Sequence, residues 1–381
     1  MFQLLQGIQQ LPQRNDVVAA YDVGGTNARG RLVDSDGCIV WEGTADTLGA
    51  NSVGQFMGLS YLRAGFRPAQ AVAALAGPPQ ADGSIQLTNR NWPRFSPQDI
   101  AESTNVPTAT INDLAAMALG LTVAGHDGDF REVWTGSRHD QLRRPAGPTL
   151  VLNAGSGIGA ALVNQPAACF GPWADAGEAE SSPLPDITVL SSEAGHTTWQ
   201  PRTKEEDRYL RYLRQTLKRR QGPITVEEAL GGCCGFDHLF DFCTQQTRWL
   251  TTLGATRLRR EVKKYQRQRR PLGPIITAGA LEYRYPCLRA MNIWASVWAQ
   301  YMRNLTVTTL PGMTVVLGGV LRAPNVADSV FRNPNFSPTY LGNGAAHSDL
   351  MAAQVVMLAT SDEIGLRGAV VQARRLQAGT A

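Results

Sequence analysis

The sequence predicts a mixed α/β protein of two related halves, and three observations carry that prediction. Residues 17–45 read as three consecutive strands, and alternating helix and strand follow them, the layout of an α/β layered unit. A second Gly-rich strand–turn–strand unit of the same design begins at Thr149. The length of 381 residues accommodates two or three domains of about 150 residues each. An internally duplicated fold with a cleft between its halves is the expected result.

Val17 to Val23 is an apolar run, Ala28 to Val33 follows a Gly-rich turn, and Cys38 to Thr44 follows Ser35-Asp36-Gly37, a hairpin signal. A helical stretch is expected at 51–66 and a buried strand at Ala71 to Ala76, ended by Gly77-Pro78-Pro79. Ser96-Pro97 reads as an N-cap with proline at the first helical position, opening a helix to Ser103. Thr108 to Ile111 is a strand running into Asn112-Asp113 and the helical LAAMALGL. Thr149 to Asn153 and Ile158 to Val163 are strands around the second Gly-rich turn. The stretches 201–221, 241–270 and 287–310 are helical in character, and Thr314 to Leu317 is a strand leading to Gly318-Gly319.

Composition excludes several classes. With 43% hydrophobic and 18% charged residues the chain is an ordinary globular protein rather than a disordered one. The net charge is +4, and Lys204, Lys218, Lys263 and Lys264 are the only lysines among 36 basic residues. The densest basic run, Arg257 to Arg270, reads as a solvated helix face leading into a loop before Pro271, in preference to a nucleic-acid surface. The six cysteines form no C-x-x-C pair, so the spacing of a zinc or thioredoxin-like site is missing, and free thiols are expected. No basic, apolar and small-residue series marks a signal peptide, and no apolar run reaches the ~18 residues that span a bilayer. The expectation is a cytoplasmic protein with neither membrane nor nucleic-acid partner.

Chemistry concentrates at a few places. Asp22-Val-Gly24-Gly25-Thr26-Asn27 lies in a turn between strands, where glycines admit an anion close to the backbone and N–H groups with a hydroxyl can wrap phosphate oxygens. Asp22, ending a strand, is placed to hold Mg²⁺ through water. The competing reading is a tight hairpin that needs glycine. The loop is neither a Walker A sequence nor a dinucleotide fingerprint. Asn153-Ala-Gly155-Ser156-Gly157-Ile-Gly159 repeats the design, and two such loops point to a nucleoside triphosphate. At Asn112-Asp113 a carboxylate serves either as a helix N-cap or as a base toward a substrate hydroxyl.

Asp22 to Arg29 (DVGGTNAR), Ala76-Gly77-Pro78, Leu87-Thr88-Asn89 with Trp92, Ile111-Asn112-Asp113 and Ala154 to Gly159 stand in an order and spacing that resembles bacterial glucokinases. Glu193-Ala194-Gly195-His196, Ile224 to Glu227, Gly318-Gly319 and the tail Ile364 to Gly368 extend the likeness over nearly the whole chain beyond residue 16. The resemblance implies a two-lobed actin-like (ribonuclease H-like) ATPase fold with a deep interdomain cleft. It further implies an N-terminal extension 1–16, a small domain 17–121 completed by 365–381, and a large domain 122–364. By it, Asp113 is the base for the sugar's primary hydroxyl, and Asn89, Asn112, Glu193, His196 and Glu227 are hexose ligands. Gly24, Gly25, Thr26, Asn27, Gly155, Ser156 and Gly157 cradle the phosphates of ATP–Mg²⁺, and Gly318 and Gly319 form the adenosine platform. The implied activity is glycolytic phosphorylation of glucose by ATP, and the resemblance leaves a homodimer open.

The chain departs from that pattern in places. Ala194 stands where the family usually has glycine, Gly231-Gly232-Cys233-Cys234-Gly235 replaces a Ser-Gly-Pro-Gly-like turn, and Tyr301 to Asn304 is bulkier than its counterparts. Segment 330–350 matches poorly. Cys233-Cys234 lacks the spacing and histidine of the zinc motif in the related ROK sugar kinases. The rival readings are a kinase for another hexose and a noncatalytic sugar-sensing regulator or pseudokinase. The loss of Asp113 or of a phosphate loop that a pseudokinase would show is absent from the sequence.

Overall fold

The computed structural model describes residues 7–24, 27–77, 80–87, 91–123, 129–136, 147–155, 157–164, 187–218, 221–245, 253–268, 270, 272–342, 344 and 346–379. The chain forms two compact units, Met1–Asp127 with Val163–Ser191 and Ser361–Ala381, and Gly128–Leu162 with Ser192–Thr360. The boundary runs along β8 (Ile158–Asn164) and β9 (Thr188–Ser192), whose residues fall on both sides of it.

The first sheet has the order β3-β2-β1-β4-β5, from β1 (Gln13–Val23), β2 (Ala28–Asp34), β3 (Ile39–Thr44), β4 (Arg67–Leu75) and β5 (Thr108–Asn112). β1, β2 and β3 are antiparallel, whereas β1, β4 and β5 are parallel. The near-continuous apolar runs of β1 and β4 follow from burial on both faces, which parallel central strands require. Tyr21, Phe56 and Tyr61 pack one face. On the other face, Val18, Ala20, Val72 and Ala74 meet Ala116, Leu366, Ala369 and Ala373.

The second sheet has the order β6-β11-β10-β7-β8-β9, with β6 (Phe130–Thr135), β7 (Thr149–Ala154), β10 (Met313–Leu317) and β11 (Val355–Ala359). Taken from β9 inward, 9-8-7-10-11 repeats 3-2-1-4-5, and β6 is an added antiparallel edge strand. The duplication expected from the two Gly-rich turns is therefore a duplication of whole sheets. A large core of Trp294, Trp298, Phe236, Tyr209 and Phe336 fills this unit around the helix Tyr285–Thr309.

Most expected elements form. Ser96 caps the helix Pro97–Thr104 by accepting a hydrogen bond from the Asp99 N–H at 3.3 Å. The basic run lies on the helix Leu253–Arg267, with Leu258 and Val262 turned inward and Arg257 and Lys263 in solvent. Cys243 and Cys287 are unbridged, and burial pushes both thiols up to about 12, which keeps them protonated and inert. Cys233 and Cys234 have side chains outside the described residues. Among the described residues, no helix is long and apolar enough to cross a membrane.

The helix Asp113–Gly120 and the C-terminal helix Ile364–Gln377 pack backbone to backbone. A Cβ on Gly120 would sit 1.9 Å from the Ile364 carbonyl oxygen, and one on Gly368 would sit 1.7 Å from that of Ala116. Neither clash involves a side chain that could swing aside. Gly368→Ala is expected to cost at least the ~1–3 kcal/mol typical of overpacking, whereas Gly379→Ala costs only the strain of its positive φ, because its Cβ meets nothing. Denaturant unfolding of the two variants checks this, and equal midpoints would refute it.

Candidate active site

The first Gly-rich turn joins β1 to β2. The Gly24 N–H donates to the Asn27 carbonyl at 2.9 Å, which closes the turn. The second joins β7 to β8, and there the Gly155 N–H donates to the Gly157 carbonyl at 3.0 Å. In each loop a glycine amide thus bonds within the turn itself and sets its shape. Gly25, Thr26 and Ser156, three of the expected phosphate contacts, lie outside the described residues, as does Asn89.

Gly318 and Gly319 follow β10, which runs parallel to β7 with Leu317 opposite Asn153. This register brings Gly318 against the start of the second loop. Gly318 has φ +103°, and a Cβ there would lie 2.3 Å from the Ala154 carbonyl oxygen. Gly319 has open space around it. Gly318 is thus demanded by packing, whereas the fold makes no demand on Gly319. Asn153 Oδ1, at the same strand ends, is buried without a hydrogen-bond partner. Sequence reasoning assigns Asn153 no role of its own, although it opens the second loop.

Asp22 is half-buried at the end of β1. A Cβ on Gly365 would come within 3.2 Å of its Oδ2, so the first turn of the C-terminal helix packs directly on this carboxylate. Burial pushes the Asp22 carboxyl above its ordinary 3.8; the Arg29 guanidinium pulls it back, and Asp362 adds to the rise. Arg29 itself donates to Asp362 Oδ2 at 3.1 Å.

Asn112 and Asp113 divide the work that either could have done. Asn112 is the N-cap, its Oδ1 accepting from the Leu114 and Ala115 N–H groups at 3.0 and 3.2 Å. Its Nδ2 donates to the Gly77 carbonyl at 3.3 Å, tying the chain after β4 to the helix. Asp113, the first helical residue, is half-buried and accepts from the Leu114 N–H at 2.8 Å. With the amide serving as cap, the carboxylate is not needed for that purpose.

Glu193 and His196 flank a 3₁₀ turn, with Nε2 and Oε2 3.6 Å apart and both side chains exposed. Ala194 is accommodated here because the tight position is the next one: a Cβ on Gly195 would lie 1.8 Å from the Ile158 carbonyl oxygen. Glu227 lies in the short helix Val226–Leu230, which Thr225 and Glu228 start with a capping box. Its Oε2 accepts from the Ile158 N–H at 2.9 Å and would meet a Cβ on Gly157 at 2.8 Å. The carboxylate therefore touches the second Gly-rich loop. Glu193 also lines a pocket of about 560 Å³.

The family model named Glucokinase matches residues 19–376. The chain belongs to the glucokinase family. A glucokinase of Caulobacter vibrioides is 27% identical to it over 323 residues, 82% of either chain. Among solved structures, the glucokinase of Balamuthia mandrillaris in complex with glucose matches with a TM-score of 0.67 at 18% identity, covering 98% of this chain and 99% of that one. A ROK-family glucokinase from Streptomyces griseus in complex with glucose and AMPPNP matches with a TM-score of 0.55 at 16% identity, covering 94% and 99%. These structural likenesses establish the fold as that of the actin-like ATPase sugar kinases. Within this glucokinase-family fold, the two Gly-rich turns are equivalent positions of the duplicated sheets.

Asp22 carries a testable cost. Because its carboxyl ionises at higher pH in the folded protein than in the unfolded chain, the folded state holds the proton more tightly. That stabilisation is full below the ordinary value and is lost as pH rises through the elevated folded value. At neutral pH the ionised carboxylate opposes folding. Asp22→Asn is expected to raise the thermal midpoint of the ligand-free protein at pH 7, with the gain shrinking as pH falls toward 4. A variant midpoint at or below wild type at pH 7 would overturn this account.

Proposed function

We propose that the chain is an ATP-dependent hexose kinase that transfers the γ-phosphoryl group of ATP to the primary hydroxyl of glucose, giving glucose 6-phosphate and ADP. The observation that carries this reading is the match to the glucokinase family over residues 19–376. The glucose- and AMPPNP-bound relatives agree with both substrates. Asp113 is the base, and Glu193, His196 and Glu227 are hexose ligands, with Asn89 beside them and Asn112 contributing the Nδ2 hydrogen its capping role leaves over. A hexose offers only hydroxyls, and side chains of these types pair its donors and acceptors.

The amides of Gly24, Gly25, Thr26, Gly155, Ser156 and Gly157, with Asn27 shaping the first turn, hold the phosphates, and Gly318 and Gly319 receive the adenosine. Mg²⁺ takes one or two carboxylates plus phosphate oxygens and keeps several waters. Asp22 fits that demand, because burial and Asp362 disfavour its charge and a cation would relieve both. When bound, the ion neutralises charge on the transferring phosphoryl group. Asp113 orients the sugar hydroxyl for in-line attack and takes its proton as the new P–O bond forms. A coupled assay with ATP, Mg²⁺ and a hexose panel tests the reading, and failure to phosphorylate any hexose would sink it. The protein acts in the cytoplasm, in the first step of glucose breakdown.

Asp113→Asn keeps the size and hydrogen-bonding reach of the side chain but cannot accept a proton. Turnover is expected to fall about 10²–10⁴-fold, with the glucose KM little changed. Wild-type-like kcat would remove Asp113 from the mechanism.

Gly319→Ala separates platform from scaffold. Its Cβ enters open space, so the thermal midpoint should move only slightly. If adenosine lies on Gly319, the KM for ATP should rise several-fold while the glucose KM stays put. An unchanged ATP KM would take Gly319 out of the nucleotide site.

A further inference from the structure

The second Gly-rich loop is pinned at one peptide unit, the one that joins Gly157 to Ile158. Its carbonyl accepts from the Gly155 N–H at 3.0 Å, and its N–H donates to Glu227 Oε2 at 2.9 Å. A peptide unit is planar, so a partner at each end fixes the direction of both groups. Gly155 supplies the first partner from within the loop. Glu227 supplies the second from a helix 69 positions away in the chain.

Three observations set Glu227 apart from an ordinary helix-end carboxylate. Thr225 and Glu228 cap its helix, so the Glu227 side chain has no part in that task. The start of the helix is itself anchored: the Val226 N–H donates to the Thr197 carbonyl at 2.9 Å, and the Trp199 N–H to the Ile224 carbonyl at 2.8 Å. Oε2 also lies so close to Gly157 that a Cβ there would sit 2.8 Å from it. A carboxylate on a fixed base therefore reaches the loop and closes on its last glycine. Glycine makes such a clamp matter, because Gly155 and Gly157 have no Cβ to restrict the backbone. Only conformations whose amides converge suit an anion. Holding the Gly157–Ile158 peptide from outside removes part of that freedom in advance, which lowers the ordering cost of binding. The charge of the carboxylate acts in the opposite sense, since it repels phosphate.

We propose that Glu227 is a positioning residue of the nucleotide site. Through the Ile158 N–H it holds the Gly155–Gly157 turn in the conformation that receives the phosphates of ATP. The inference rests on the kinase reading and gives Glu227 a second task besides its sugar contact.

The test is nucleotide binding in the absence of sugar, measured by calorimetry with AMPPNP–Mg²⁺ and with adenosine as a phosphate-free probe. Two pairs of proteins isolate the hydrogen bond at constant charge. Glu227→Gln and Glu227→Met are both neutral and of similar length, but only Gln keeps an acceptor oxygen. Wild type and Glu227→Asp are both charged, but Asp is one methylene shorter and loses the reach to the Ile158 N–H. AMPPNP affinity should be about 2–10-fold lower for Met than for Gln, and for Asp than for wild type, the contribution of one hydrogen bond. Adenosine affinity should match within each pair, which a general loosening of the fold would not allow. Equal AMPPNP affinity within either pair, as expected of a residue that contacts only sugar, overturns this inference alone. A parallel loss of adenosine affinity also overturns it, because the effect is then not on the phosphates. Failure of the wild type to bind AMPPNP overturns the nucleotide reading and this inference with it.

Discussion

The first unit depends on two helices that meet backbone to backbone at two glycines. Gly120 and Gly368 let the backbones of Asp113–Gly120 and Ile364–Gln377 come so close that a single methyl group at either glycine would collide with a carbonyl. This contact fixes the later part of the helix that Asn112 caps and Asp113 begins. The same C-terminal helix lays Gly365 against Asp22, while its preceding turn presents Asp362 to Arg29 and Glu363 to Arg31. One packed seam therefore fixes the helix that carries Asp113 and lies directly against Asp22. Small residues achieve this because close-packed backbone has fewer alternative arrangements than interdigitated side chains.

The second unit reaches its geometry by register. Parallel pairing of β7 with β10 places Asn153 opposite Leu317, so the loop after one strand and the glycine pair after the other emerge side by side. Gly318 is then obligatory, whereas a side chain at Gly319 would meet nothing. Glu227 is tied to this edge by its hydrogen bond from the Ile158 N–H. A carboxylate held by a backbone amide at the foot of a Gly-rich loop is pre-organised, because its orientation is settled before substrate arrives.

The duplicated design is legible in the sequence because a glycine-rich turn between two apolar runs is compatible with little besides a pair of adjacent strands. Ser96-Pro97 and the strands around both loops are readable for the same reason: cap and turn chemistry are local. Less local features stay hidden. β11, with the run VVMLA, is too short for periodicity to tell a buried strand from a helix turn. β6 carries Arg131 and Glu132, and the sequence gives no strand signal there, since an edge strand tolerates charge that a central strand does not. Ala194 departs from the glycine usual in the family, but the tight spot is Gly195, where the obstacle is the Ile158 carbonyl, 37 positions away in the chain. The division of labour between Asn112 and Asp113 is also undecidable from sequence, because both residue types cap helices and only coordinates show which oxygen meets which amide.

Asp22 shows how the first unit keeps a group that its ligand-free fold would be more stable without: a carboxylate whose charge is opposed by burial and by Asp362. Replacing it with a neutral residue of the same shape relieves that local penalty. Its presence makes sense if a cation arrives with the nucleotide, as the proposed function has it. The free energy released on pairing then shows as affinity rather than as fold stability, and a ligand that brings no matching charge leaves the penalty in place.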